Sequence, residues 1–100
     1  MTYALLIRPE AEDDLRQAYG WYEQQRLGLG RDFLLCIEAT LGAVQDNALQ
    51  FPVVHKQVRR ALVRRFPCAV FYVITDSTVH VLAVFHCRRH PRSWRQRTQE

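Results

Sequence analysis

The most constraining feature is a stretch in the second half of the chain: Val58–Arg65, Cys68–Ile74 and Val79–His90, reading VRRALVRR, CAVFYVI and VHVLAVFHCRRH. Apolar residues follow one another there without the alternation of a half-exposed strand, as expected of strands buried on both faces. Arginines gather at the ends of these runs, and unpaired arginines are rarely buried. A sheet with a buried middle and cationic strand ends is expected, and those ends suit an anionic or acidic partner.

One hundred residues make one domain, with 48% apolar and 24% charged residues, the balance of a globular chain rather than a disordered one. The formal net charge of +4 is unevenly placed. Glu10, Glu12, Asp13, Asp14 and Glu23 crowd the first quarter, whereas Arg59, Arg60, Arg64, Arg65, Arg88, Arg89, Arg92, Arg95 and Arg97 fill the last part. Such asymmetry points to nucleic acid or an acidic protein segment, although solubility alone also accounts for it. Cys36, Cys68 and Cys87 are an odd number without CxxC spacing and read as reduced core thiols of a cytosolic protein. The beginning of the chain lacks a signal-peptide layout, and no apolar run approaches 18 residues, so a cytoplasmic location without membrane contact is expected.

In chain order, Tyr3–Ile7 reads as a strand stopped by Arg8-Pro9, and Pro9 then opens a helix as a first-turn proline. Ala11, Leu15, Ala18, Tyr19 and Tyr22 mark one helical face, and the Tyr19, Trp21 and Tyr22 group is expected to pack as aromatic core. Glu12, Asp13 and Asp14 suit the positive end of that helix. Leu27–Gly30 breaks it, and a second helix runs from near Arg31 to Asp46-Asn47 with Phe33, Leu34, Ile37, Leu41 and Val44 facing inward. So short a link predicts an antiparallel helical hairpin. Three strands follow, Val58–Arg65, Cys68–Thr75 and Thr78–Cys87, with a bend at Phe66-Pro67 and a tight turn at Asp76-Ser77. The expected fold class is α+β: an N-terminal strand, a helical hairpin and a three-stranded antiparallel meander completing one sheet, with residues 1–100 as a single domain and 91–100 as a polar tail. No repeat, low-complexity segment or Gly-rich phosphate loop is present.

The segments YALLIRPEAEDDLRQAYGWYEQQ, GLGRDFLLCIEATLGAVQDNALQFP, VRRALVRRFPCAVFYVI and VHVLAVFHCRRHPRSW resemble, in order and spacing, the RelE/ParE superfamily of bacterial type II toxins. The resemblance covers about Tyr3 to Trp94. It implies a small toxin neutralised by a cognate, ParD-like antitoxin whose C-terminal segment wraps it, with no cofactor. ParE-like members bind DNA gyrase and trap its cleaved complex, whereas RelE-like members cut messenger RNA on the ribosome without metal. RNA cleavage needs a base, an acid and cations around the phosphate. An approximate alignment puts Ala69 where the RNA-cutting branch carries an arginine, no tyrosine follows Tyr72, and Lys56 is the only lysine. The ParE-like reading, a gyrase-binding poison, is therefore preferred to the ribosome-dependent nuclease, with an inactive homologue that only binds antitoxin as a third reading.

Arg64, Arg65, Arg88 and Arg89 are the candidate partner-binding residues, through charge-assisted bonds to an acidic tail, and the alternative is solvated edge charge. His86 and Arg88 are the catalytic candidates under the nuclease reading alone, His86 as general base. His86, Cys87 and His90 contain metal-capable atoms, but neighbours on a strand point apart, so no metal is expected. Trp94 either stacks on a base or folds back over the sheet edge, the second being preferred.

Overall fold

The computed structural model of the protein describes residues 2–86. Strand β1 (Ala4–Ile7) leads into helices α1 (Pro9–Gln25) and α2 (Leu29–Asp46), a 3-10 turn (Ala48–Gln50), and strands β2 (Val53–His55), β3 (Val58–Leu62), β4 (Cys68–Thr75) and β5 (Thr78–His86). The sheet order is β1-β5-β4-β3-β2. β1 runs parallel to β5, and the other three pairings are antiparallel. This is the expected α+β arrangement, with a further short strand, β2, on the outer edge of the meander.

The helices form where the apolar spacing puts them. Phe33, Ile37, Leu41 and Val44 of α2 are buried and Leu34 packs beside them. On α1, Ala11 and Tyr22 are buried, with Leu15 and Ala18 against the core. Tyr22, Phe33 and Phe66 join helices to sheet as an aromatic trio with ring centroids 5.0 to 5.4 Å apart. Each such ring contributes roughly 1.5–3 kcal/mol by leaving water. The expectation of aromatic core fails for two of its three residues. Trp21 is 57% exposed and Tyr19 39%, because each is displaced around the helix from the stripe that Tyr22 occupies.

The hairpin link depends on Glu23, whose carboxylate accepts the Gly28 N–H and the Gly30 N–H, both at 3.0 Å. Gly28 has φ +89°, a conformation that glycine takes without strain. α2 starts at Leu29, two residues before the expected Arg31.

Asp76 and Ser77 both have positive φ, as a two-residue hairpin turn between β4 and β5 requires. β5 outruns β1, whose last partner is Val81. Beyond that point Asp14 of α1 accepts the Val84 N–H at 3.0 Å, in place of a strand neighbour. β3 ends at Leu62, three residues before the expected Arg65, because Arg65 turns to φ +72° and the chain bends. The Val63 N–H to Cys68 carbonyl bond (2.9 Å) closes that bend, and Phe66 anchors it in the core.

Candidate functional site

Arg64 and Arg65 lie in the bend between β3 and β4, not on a strand end as the sequence pattern implies. Both are exposed, and among the described residues neither enters an ion pair. They form one rim of a concavity of about 550 Å³. Its floor is apolar. Ala39 and Ala43 stand one turn apart on α2, Leu35 precedes them on the same side, and Phe51 and Leu62 approach from the sheet edge. Small residues on α2 leave the trough open, while Leu35 and Leu62 are 53% and 58% exposed along it. Two guanidinium groups beside an apolar trough suit a segment that combines apolar and acidic side chains.

The residues between α2 and β3 hold the trough in shape. Arg59 donates from its Nη1 to the Phe51 carbonyl at 2.6 Å and to the Leu49 carbonyl at 3.1 Å. Of the arginines grouped by the sequence pattern, Arg59 is thus a structural one. Tyr72 donates its hydroxyl to the Ala48 carbonyl at 2.6 Å from a fully buried position. Burial pushes the Tyr72 hydroxyl up to about 12, with the Arg59 charge opposing and Tyr3 adding to the rise. Sequence reasoning missed both anchors. The only available signal was an aromatic residue with a polar tip inside an otherwise apolar strand.

His86 stands exposed at the end of β5, opposite Cys68. It lines a second concavity, of about 470 Å³, with Asp14, Trp21, Tyr22 and Phe85. Tyr22 Oη and Cys68 Sγ are hydrogen-bonded at 3.6 Å on its inner wall. The two concavities share no lining residue, so the structure does not bring His86 to Arg64 and Arg65. Arg88 and Arg89 lie outside the described residues, as do Cys87, His90 and Trp94. Ala69, the position aligned with a cation of the RNA-cutting branch, is 0% exposed.

A model of the ParE toxin of the type II toxin–antitoxin system parDE matches residues 5–91. The chain belongs to this family.

Toxin ParE2 of Mycobacterium tuberculosis is similar to this ParE-family chain, at 28% identity over 92 residues, covering 91% of this chain and 88% of the relative. In the chromosomal ParDE toxin–antitoxin system from P. aeruginosa, one chain superposes with a TM-score of 0.76 at 18% identity, covering 85% of this chain and 96% of that one. A chain of the toxin–antitoxin complex RelBE2 from Mycobacterium tuberculosis gives a TM-score of 0.62 at 22% identity, over 86% and 99% of the two chains. At those identities the superpositions show the shared fold. The helical hairpin on a mixed sheet is thus the architecture of ParE and RelE toxin structures.

Proposed function

We propose that this ParE-family toxin poisons DNA gyrase by binding it, and that a cognate ParD-like antitoxin neutralises the toxin by seating an apolar, acidic segment in the Arg64–Arg65 trough. The observation that carries the antitoxin half is the trough itself: an open apolar floor with two guanidinium groups on its rim. The structures of similar fold come from toxin–antitoxin systems, which supports a partner of that kind. Arg88 and Arg89 are assigned to the same acidic partner from the sequence pattern.

The gyrase half is supported by family membership and by how the sheet spends its polar groups. Tyr72, the last tyrosine in the chain, is buried and bonded to a carbonyl, and Lys56, the only lysine, sits in the turn between β2 and β3. The Tyr72 hydroxyl is thus engaged in holding the 3-10 turn, which favours the binding reading over the nuclease one.

Two assays test the pair of statements separately. Purified toxin added to gyrase should inhibit supercoiling. Intact supercoiling together with cleavage of ribosome-bound messenger would replace this reading with the nuclease reading through His86 and Arg88. No effect in either assay would leave an inactive homologue. For the partner, the double variant Arg64→Glu, Arg65→Glu should weaken antitoxin binding roughly 100-fold, from about 1.4 kcal/mol for each lost charge-assisted contact. An unchanged affinity would move the antitoxin off the trough.

A further inference from the structure

The two edges of the sheet are guarded unequally. β2 closes one edge with three residues and an irregular register, a common defence against pairing with another chain. β1 closes the other with Ala4-Leu5-Leu6-Ile7, an apolar strand without charge, proline or bulge. Unguarded apolar edges of this kind recruit another strand.

The hydrogen bonds of β1 show which of its groups are open. Ala4 donates its N–H to the Ser77 carbonyl and Arg8 donates to the Val81 carbonyl, both at 3.1 Å. Backbone groups alternate sides along a strand, so Ala4, Leu6 and Arg8 face β5, while Tyr3, Leu5 and Ile7 face outward. Tyr3 is already engaged. Its N–H donates to the Gln45 carbonyl at 2.9 Å, and its own carbonyl accepts from the Gln45 side chain at 3.0 Å. Beyond Arg8, Pro9 opens α1 and has no N–H to give. The open window is therefore Leu5 and Ile7, and among the described residues neither makes an outward hydrogen bond. Leu6 stands between them on the face away from the helices and is 52% exposed, whereas Leu5 and Ile7 pack against the helix-side core.

We propose that β1 pairs antiparallel with β1 of a second copy of this chain, about a two-fold axis at Leu6, joining two five-stranded sheets into one. The register follows from the open window. With Leu6 opposite Leu6, Leu5 meets Ile7 of the second copy and Ile7 meets its Leu5, and each pair exchanges both N–H to carbonyl bonds. Centring on Leu5 sets Ile7 against the occupied Tyr3, and centring on Ile7 sets Leu5 against Pro9, which lacks a donor. The Leu6 register alone uses every open group. A second copy also fits in length, because a longer strand meets the Gln45 side chain at one end and α1 at the other. No like charges meet, since Arg8 falls opposite Ala4. The two Leu6 residues form the closer, non-hydrogen-bonded kind of pair, with Cα atoms about 4.5 Å apart, so each side chain covers the other. The Arg64–Arg65 trough lies towards β3, separated from β1 by β4 and β5, so this pairing does not rest on the antitoxin reading.

Sedimentation of the full chain, free of antitoxin, tests the pairing. It should show a reversible monomer–dimer equilibrium, and amide exchange at Leu5 and Ile7 should slow as concentration rises. Leu6→Glu and Leu6→Lys each change an exposed side chain, so both variants should stay folded. Each should weaken dimerisation roughly tenfold or more, by setting like charges across the axis in place of the leucines. An equimolar mixture of the two should dimerise again, because position 6 meets its own mate. A monomer at every concentration would overturn the proposal, and so would parent-like dimers of both variants, which would put the contact elsewhere. A mixture that stays monomeric would overturn the register. Exchange at Leu5 and Ile7 that slows only when antitoxin is added would overturn the self-pairing and give the edge to that partner.

Discussion

Replacing Tyr72 by phenylalanine removes one oxygen and exposes how the 3-10 turn is held. The Tyr72 hydroxyl is buried and donates to the Ala48 carbonyl at 2.6 Å, and Ala48 is itself 0% exposed. Tyr72→Phe therefore deletes a bond and takes the hydroxyl donor from a buried acceptor, a cost of about 2 kcal/mol. In a domain of this size that lowers Tm by roughly 8–16 °C. The pH dependence makes the test specific. Burial holds the folded Tyr72 hydroxyl at about 12, whereas in the unfolded chain it ionises near its ordinary value, about 10. Below pH ~10 both states keep the proton and the contribution of the neutral hydroxyl is complete. Between those values the unfolded chain releases a proton that the folded chain retains, so stability falls as pH rises. Two pH units at 1.36 kcal/mol each set a ceiling of about 2.7 kcal/mol on that loss. Phenylalanine has nothing to ionise. The gap between parent and variant, measured by urea unfolding from pH 8 to 12, should therefore be widest at pH 8 and close towards pH 12. Every other titrating group is common to both chains and cancels in the difference. A gap that stays constant to pH 12, or no gap at pH 8, would refute the assignment of this hydroxyl.

Two glycines of α2 should respond in opposite senses to alanine. A Cβ at Gly30 would stand 2.8 Å from the Tyr19 ring and 2.9 Å from its carbonyl oxygen, and Gly30→Ala should cost about 1–3 kcal/mol in thermal or urea unfolding. A Cβ at Gly42 meets nothing within 4 Å, so Gly42→Ala should stabilise by about 0.5–1 kcal/mol. Asp14→Ala removes the acceptor of the Val84 N–H and should destabilise by about 1–3 kcal/mol. Amide exchange at Val84 should accelerate by roughly tenfold or more, from an opening made easier by at least 1.4 kcal/mol.

What the sequence discloses of this fold follows the range of the forces involved. The buried face of α2 is legible because Phe33, Ile37, Leu41 and Val44 repeat with the helical period. The β4–β5 hairpin is legible because Asp76-Ser77 interrupts two apolar runs by two residues, the spacing of a tight turn. β2 escapes notice because its three residues directly after Pro52 are too few to show a period, and β3 supplies its pairing. The end of β3 is misread because Val63, Arg64 and Arg65 continue a strand-like pattern, while the buried Phe66 and the left-handed Arg65 turn the chain aside. Trp21 beside Tyr22 shows the same limit within a helix, where one residue of phase decides which ring is core. The candidate site is less legible still. Its parts come from α2, the stretch after the 3-10 turn and the β3–β4 bend, and charge alone does not separate Arg59, bonded to carbonyls, from Arg64 and Arg65 on the rim.

That separation of arginines bears on how a partner would engage. Arg59 and Tyr72 fasten the segment that carries Phe51, and the Val63–Cys68 bond fastens the bend that carries Arg64 and Arg65. The trough is thereby held in place before any partner arrives, and preorganisation lowers the ordering cost of association. Exposed rim charges act mainly on the rate of encounter and are screened by salt, whereas a desolvated apolar floor acts mainly on dissociation. The Arg64 and Arg65 rim and the Leu35, Phe51 and Leu62 floor therefore divide the work. Charge reversal on the rim should mostly slow association and flatten its salt dependence, whereas a polar residue on the floor should mostly speed dissociation. A surface in which the two kinds of substitution acted alike on both rates would be a patch of incidental charge, not a binding groove.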